Sequence, residues 1–575
     1  MMKRLSGLVL LLCLANFLSA QDMRMDTYCN PLNIDYTYMI YNSDKNISYR
    51  SGADPAVVEF RGEYYMFVTR SHGYWRSRDL LNWEFVRPGR NWYPQGCNAP
   101  AAHNYKDSVL YVTGDPSGSM SILYTDNPAS GNWEAVPAIL HNLQDPDLFI
   151  DDDGKAYMFW GSSNVYPIRG MELDKNRRFI KKGETKELFN LDMPKHGWER
   201  FGENHTDTVL GGYIEGPWLT KHNGKYYMQY GAPGTEFNVY ADGVYVGDTP
   251  MGPFRYAGNS PVSYKPTGFI GGAGHGCVFQ MGGRYWKVAT NSISVRHMFE
   301  RRISFFPSGF DQDDYMYTDT YLGDYPMYLP TVDPEGSRPD WMLLSFRKPV
   351  TVSSSLSGYP AENLVDEEVR TAWVADGKKG TEWVQIDLER EADVYAIQLN
   401  YDEYGATQKG INPDLYQSYV LYASHDGKKW YVVADKRMKR TDTPHDYVEF
   451  ESPFSARYIK WENCGYTIAD HVSLRELRVF GKGKGKVPGA VSQFSVVRNP
   501  DDSCKAVISW TPVDNTQGYI IRSGIAVDKL YHNYQVTDST RFELTGLNSG
   551  GNYYFTIDSY NENGITKSNM TYLIR

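Results

Sequence analysis

The sequence predicts an all-β chain: a five-bladed β-propeller followed by two β-sandwich domains. Three observations carry that expectation. A strand–turn–strand unit recurs five times in the first half of the chain. Short runs rich in Tyr, Phe, Val and Met alternate imperfectly, as half-buried strands do. Long helical periodicity is absent throughout.

The five turns are centred on Gly62, Ser108, Gly154, Gly224 and Gly283. Asp, Asn, Ser and Gly at these points tolerate the backbone angles that tight hairpins need. Subtracting those numbers gives successive gaps of 46, 46, 70 and 59 residues. Propeller blades run about 40–50 residues, so the two longer gaps predict insertions. One blade cannot bury both faces, so the repeats must pack side by side around an axis.

Three acidic residues fall at nearly the same phase of this repeat. Asp54 lies in Ser51-Gly-Ala-Asp-Pro55, Asp145 in Gln144-Asp-Pro-Asp147 and Glu215 in Ile214-Glu-Gly-Pro217. Each precedes its hairpin glycine by eight or nine residues (62 − 54, 154 − 145, 224 − 215). The other two copies place Asn98-Ala-Pro100 and Gly274-His275-Gly276 at that point. Equivalent positions entering the innermost strands converge at the hub, so the three acids are expected in one pit. Two carboxylates of different pKa, one ionised to activate water and one protonated to assist a leaving oxygen, suffice to hydrolyse a glycosidic bond. A third nearby carboxylate raises the acid's pKa by like-charge repulsion. That chemistry requires no metal cofactor.

In these motifs residues 28–339 resemble glycoside hydrolase family 43, five-bladed propellers that hydrolyse with inversion. The resemblance implies that Asp54 is the general base, Glu215 the general acid and Asp145, not Asp147, the pKa modulator. It implies a channel role for His275, through water to a calcium ion. The implied enzyme is an exo-acting α-L-arabinofuranosidase or β-xylosidase working on plant-type polysaccharide side chains. Many members carry Trp-Ala-Pro at the second blade, where this chain has Asn98-Ala-Pro100. That departure keeps a β-galactofuranosidase or β-galactosidase open as the alternative. Asn98, His103 and Trp92 are the candidate sugar contacts. Inversion implies about 6.5–9.5 Å between the two catalytic carboxyls, whereas the related retaining β-fructosidases would show about 5–5.5 Å. A rival from another class is a non-catalytic carbohydrate-binding protein.

The second module spans residues 340–481. Thr371-Ala-Trp373, Glu382-Trp-Val-Gln-Ile-Asp-Leu388 and Ser473-Leu-Arg-Glu-Leu-Arg-Val-Phe480 resemble the discoidin, or coagulation-factor type C, sandwich. The resemblance implies sugar binding or a spacer role, and a structural calcium near Asp366 and Glu476. A Gly-Lys run from Gly481 to Gly489 reads as a flexible linker. Residues 490–575 resemble a fibronectin type III sandwich, with Trp510 in its core.

The first 20 residues read as a signal peptide. Met1-Met-Lys-Arg4 is basic, Leu8 to Ala15 is apolar, and Leu18-Ser-Ala20 is a small-residue cleavage site. A secreted or periplasmic protein is expected, with no integral membrane segment after signal removal. Net charge is 59 − 69 = −10, which argues against a nucleic-acid partner. Five cysteines would remain, scattered and odd in number, so neither a disulfide framework nor a zinc site is expected.

Overall fold

A computed structural model describes residues 25–575 except 43–46, 94–95, 138 and 334–335. The expected signal peptide lies outside the described residues. Among them no helix is long and apolar enough to cross a membrane, and all five cysteines are unpaired.

Each of the five repeats forms one antiparallel sheet. Blade 1 orders Ala56–Phe60, Glu63–Phe67, Tyr74–Ser77 and Glu84–Val86 from hub to rim. Blade 2 starts with Asn98–Tyr105 and Val109–Asp115, and blade 3 with Asp147–Ile150 and Ala156–Trp160. Blade 4 runs from Ile214–His222 and Lys225–Ala232 to Ala241–Gly247 and Phe254–Tyr256. Blade 5 has Gly271–Gly274 and Val278–Met281 innermost, then Arg284–Ser292, Arg301–Phe310 and Met316–Thr318. Thr27–Tyr28 pairs with Met327–Tyr328, joining the two ends of the region.

Polar atoms stitch neighbouring blades near the hub, where a buried donor or acceptor must find a partner. Ala99 N–H donates to Thr69 Oγ1 at 2.8 Å, linking blades 1 and 2. The Thr113 hydroxyl donates to Pro146 O at 3.0 Å, linking blades 2 and 3. Leu219 N–H donates to Asp147 Oδ2 at 2.9 Å, linking blades 3 and 4. His275 N–H donates to Asp242 Oδ1 at 2.6 Å, linking blades 4 and 5. Val57 N–H donates to Cys277 Sγ at 3.1 Å and closes the ring. Asp147 is thereby spent on the frame, and Cys277 is a buried latch.

The second module is one folded sheet around a single apolar core. Two long strands, Trp383–Tyr401 and His445–Tyr466, bend at register shifts and serve both layers. The third module is a two-sheet sandwich: Phe494–Arg498, Ala506–Trp510 and Arg541–Leu544 in one layer, and Gly518–Gly524 and Tyr553–Asn561 central to the other, with His532–Val536 at its edge. Trp510 is buried in its core. The Gly-Lys connection is bound rather than free. Gly483 N–H donates to Glu562 O at 3.0 Å, Gly485 N–H to Asn563 Oδ1 at 2.7 Å, and Lys484 pairs with Asp393 at 2.9 Å. Lacking side chains, these glycines let the backbone approach the third module closely.

Buried ions bolt the second module to the propeller. Arg475 reaches Glu300 at 2.6 Å and Asp402 at 2.8 Å. Arg302 reaches Glu403 at 2.5 Å, and Arg296 reaches Asp402 at 2.5 Å. Arg50 pairs with Asp442 at 2.5 Å and with Glu403 at 3.2 Å. Arg302 Nε–H also donates to His445 Nε2 at 2.9 Å, while the other ring nitrogen of His445 lies 2.7 Å from Asn400 Oδ1. Burial and the nearby arginines keep this imidazole neutral, its pKa far below the usual value. Four arginines thus balance four carboxylates across one dry interface. Removing one partner of such a set leaves uncompensated buried charge, at about 3–5 kcal/mol. Arg475→Met should therefore destabilise the protein by about that amount in chemical unfolding; a loss well under 1 kcal/mol would show that these ions do not hold the interface.

Candidate active site

The hub pit is built from one left-handed residue per blade. Asp54 (φ 51°), Ala99 (φ 40°), Asp145 (φ 49°), Gly216 (φ 59°) and His275 (φ 32°) all take positive φ, and all five line the same cavity. Non-glycine residues hold this conformation at a cost of about 1–3 kcal/mol each, which surrounding structure must enforce. The blade interfaces described above supply that enforcement. In blade 4 the special position belongs to Gly216, so Glu215 enters one residue earlier than its counterparts. A Cβ on Gly216 would lie 2.4 Å from the His275 ring. Glycine is required there by close approach as well as by φ.

Asp145, Glu215 and His275 present side-chain atoms within 4.8 Å of one another. Asp54 joins them through His275, whose Nδ1 lies 3.3 Å from Asp54 Oδ1. Arg301 Nη1 stands 3.5 Å from the same oxygen and donates to Thr235 Oγ1 at 3.0 Å. The Thr69 hydroxyl donates to Asp54 Oδ2 at 2.6 Å, and Asp54 N–H donates to Thr290 Oγ1 at 2.8 Å. Glu215 accepts from Tyr240 OH at 2.5 Å on Oε1 and from Ser162 Oγ at 3.2 Å on Oε2. Arg301 is itself held by its neighbours. Glu300 and Arg302, on either side of it, are the residues clamped by the second module.

The environments of the acids differ. Burial alone would push the Asp54 carboxyl up, but Arg301, His275 and the Thr69 hydroxyl outweigh it and hold the group below its usual range. Burial drives Asp145 well above the usual range; His275 opposes the shift and the charges of Glu215 and Asp54 add to it. Burial favours a neutral His275, yet Asp54, Asp145, Glu215 and Asp242 together raise its pKa. The pit therefore keeps Asp54 ionised while retaining a proton on the Asp145 side.

The remaining candidates are scattered. Asn98 is half-buried beside the pit-lining Ala99, and its Oδ1 accepts from Arg70 Nε at 2.9 Å. Trp92 does not reach the pit: its ring packs among Phe67, Tyr74 and Trp133 between blades 1 and 2. His103 lies five residues outward along its strand, against the edge of Phe149. Trp92 lies in the loop before that strand, and both side chains pack on aromatic neighbours and do not line the pit. The Asp145–Glu215–His275 donor set does not suit direct binding of calcium, which takes 6–8 oxygen ligands. It offers an imidazole inclined to be protonated and a carboxyl that holds its proton. In the second module Thr371 Oγ1 donates to Asp366 Oδ2 at 2.8 Å, and Glu367 N–H donates to Glu476 Oε1 at 3.3 Å. The buried Glu476 Oε2 has no hydrogen-bond partner. Burial and the charges of Glu367 and Asp366 push the Glu476 carboxyl well above its usual range, so either a proton shared with Asp366 or a cation would satisfy it.

Thr69, Thr290, Tyr240, Ser162 and Arg301 were not singled out by motif. Two of them follow the repeat: Thr69 and Thr290 each lie seven residues after the hairpin glycine (69 − 62, 290 − 283). Gly161 and Gly231 occupy the same phase (161 − 154, 231 − 224). Tyr240 and Arg301 enter from the starts of third strands and carry no such signal.

Residues 44–306 match the family model "Glycosyl hydrolases family 43", and residues 349–476 match "F5/8 type C domain". The chain carries a domain of each kind. It is 25% identical over 235 residues to a beta-D-galactofuranosidase of Aspergillus niger, covering 35% of this chain and 62% of that protein. It is 24% identical over 304 residues to an arabinoxylan arabinofuranohydrolase of Paenibacillus polymyxa, covering 43% and 46%. The chain thus spans about half to three-fifths of the length of these curated relatives. A solved structure titled "Glycoside hydrolase" superposes with a TM-score of 0.44 at 18% identity, covering 78% of this chain and 99% of that one.

The asymmetry of the pit has a measurable signature. Asp145 binds its proton more tightly folded than unfolded, so its contribution to stability falls as pH rises above the ordinary aspartate value. Asp145→Asn should raise the melting temperature, and the gain should grow between pH 4 and pH 8. A gain that is absent, or equal at both pH values, would contradict the assignment.

Proposed function

We propose that the protein is an exported, inverting glycoside hydrolase acting on plant-type polysaccharide side chains. The observation that carries this reading is the meeting of Asp145, Glu215 and His275 within 4.8 Å of one another in one pit, with Asp54 held against His275 and Arg301. Asp54 takes a proton from water as the water attacks the anomeric carbon. Arg301, His275 and Thr69 keep Asp54 ionised and oriented for that task. Glu215 protonates the departing oxygen, and Tyr240 and Ser162 fix its carboxyl. Asp145, whose side chain lies within 4.8 Å of Glu215, modulates and helps orient the acid. His275 links base and modulator electrostatically, and no step runs through a metal.

The substrates proposed are α-L-arabinofuranosides or β-xylosides, the sugars named by several curated relatives. A β-galactofuranoside or β-galactoside is the second reading. Asn98, where many family members carry tryptophan, keeps it open, together with the galactofuranosidase relative. For the second module we propose carbohydrate binding, with a calcium ion held by Asp366 and Glu476 as a structural support. The third module is proposed as a fibronectin type III-like spacer.

Hydrolysis of a panel of nitrophenyl glycosides tests the activity and identifies the sugar. Asp54→Asn and Glu215→Gln should each reduce kcat on a natural linkage by at least about 10²–10⁴-fold while the far-ultraviolet circular dichroism remains that of the folded wild type. Full activity in either would remove the assignment. Proton NMR of the first-formed product should show the inverted anomer, and a retained anomer would favour the fructosidase-like mechanism. Calcium should raise the melting temperature of the wild type and chelation should lower it. Glu476→Gln should abolish the response, and a wild type indifferent to chelator would exclude the ion.

A further inference from the structure

The 70-residue spacing between the hairpins of blades 3 and 4 holds an insertion, and its end runs directly into the strand Ile214–His222 that carries Glu215. Its backbone is firmly pinned. Arg200 grips Asp502 of the third module through two hydrogen bonds, at 2.7 and 3.0 Å. Gly197 N–H donates to Leu547 O at 3.0 Å, and Ser549 N–H donates to Lys195 O at 2.7 Å. At the tip, Asp207 Oδ1 accepts from Val209 N–H at 2.8 Å and from Leu210 N–H at 2.9 Å. A loop so constrained nevertheless turns its apolar side chains outward. Val209 is 87% exposed, Leu210 57% and Tyr213 41%.

A second loop continues the same surface. Ser162–Ser163 pairs with the strand of the acid, Ser162 opposite Glu215 and Ser163 opposite Ile214. The next residues, Val165 and Tyr166, are 66% and 61% exposed. Asn190 Nδ2 donates to Val165 O at 3.3 Å, and Gly211 packs against Asn164. Exposed apolar groups gathered on ordered backbone mark a binding surface rather than chance.

We infer that these two loops form the subsite for the leaving part of the substrate, a platform that takes the flat apolar face of sugars beyond the cleaved bond. The inference rests on the hydrolase reading, in which Glu215 delivers its proton to the leaving oxygen. Whatever adjoins Glu215 on the outside therefore adjoins the leaving group. The Arg169 guanidinium backs one face of Tyr166, 5.2 Å from its ring centroid; the exposed side of that ring and Tyr213 suit ring C–H surfaces, with Val209 and Leu210 extending the contact. The occupant is the main chain of a polysaccharide, and the third module serves the site by bracing the loop that contacts it.

The test compares Tyr166→Ala and Leu210→Ser with wild type on two substrates sharing one glycon: an oligosaccharide with three sugars beyond the cleaved bond, and the glycosyl fluoride. The side chains are exposed, so melting temperatures should not change. The kcat/KM for the oligosaccharide should fall about tenfold, equivalent to about 1.4 kcal/mol, while that for the fluoride changes less than about twofold. Equal losses on both substrates, or none on the oligosaccharide, would overturn the inference. If the wild type cleaves neither, the hydrolase reading fails, and calorimetric titration of the same oligosaccharide decides the platform separately. Binding that weakens about tenfold in both variants would support it; no binding to wild type, or equal binding to the variants, would overturn it.

Discussion

Three carboxylates share one buried pit, and they cannot all carry charge. Everything else about the site follows from how that conflict is resolved. Burial penalises each ionised acid, and each ionised neighbour penalises the next. Two cationic groups, Arg301 and His275, stand on the Asp54 side, so Asp54 ionises. Asp145 has only the opposing pull of His275 against its burial and two acidic neighbours, and its proton stays. One electrostatic arrangement thus sets the two aspartates apart.

The fold supplies the geometry that makes this conflict unavoidable. Five residues in left-handed conformation would relax if their strands were free. They are held because each blade is tied to the next by a polar stitch near the hub. The second module extends the restraint. Its buried ions fix Glu300 and Arg302, and Arg301 between them is thereby presented to Asp54. The third module does the same for the loop beside Glu215. The two sandwiches thus brace the residues around the pit.

Much of this was legible in the sequence, because propeller repeats convert chain position into spatial position. The phase of Asp54, Asp145 and His275 before their hairpins led directly to the pit. The same phase, carried to the ends of the second strands, leads to Thr69 and Thr290. What could not be read came from elements outside the repeat's register. Arg301 and Tyr240 enter from third strands, where the repeat has no punctuation. Trp92 and His103 are near Asn98 in sequence, but aromatic packing holds both side chains out of the pit. The Gly-Lys connection looked free because composition reports what a segment can do alone, whereas Glu562, Asn563 and Asp393 decide what it does here.

The most direct test is a titration of the pit's own carboxyls, followed by carbon-13 NMR of Asp-labelled protein with Asp54→Asn and Asp145→Asn for assignment. The account predicts one aspartate titrating below the ordinary range and lost in Asp54→Asn, and another titrating well above it and lost in Asp145→Asn. Two aspartates titrating together near the ordinary value of about 3.9 would contradict it.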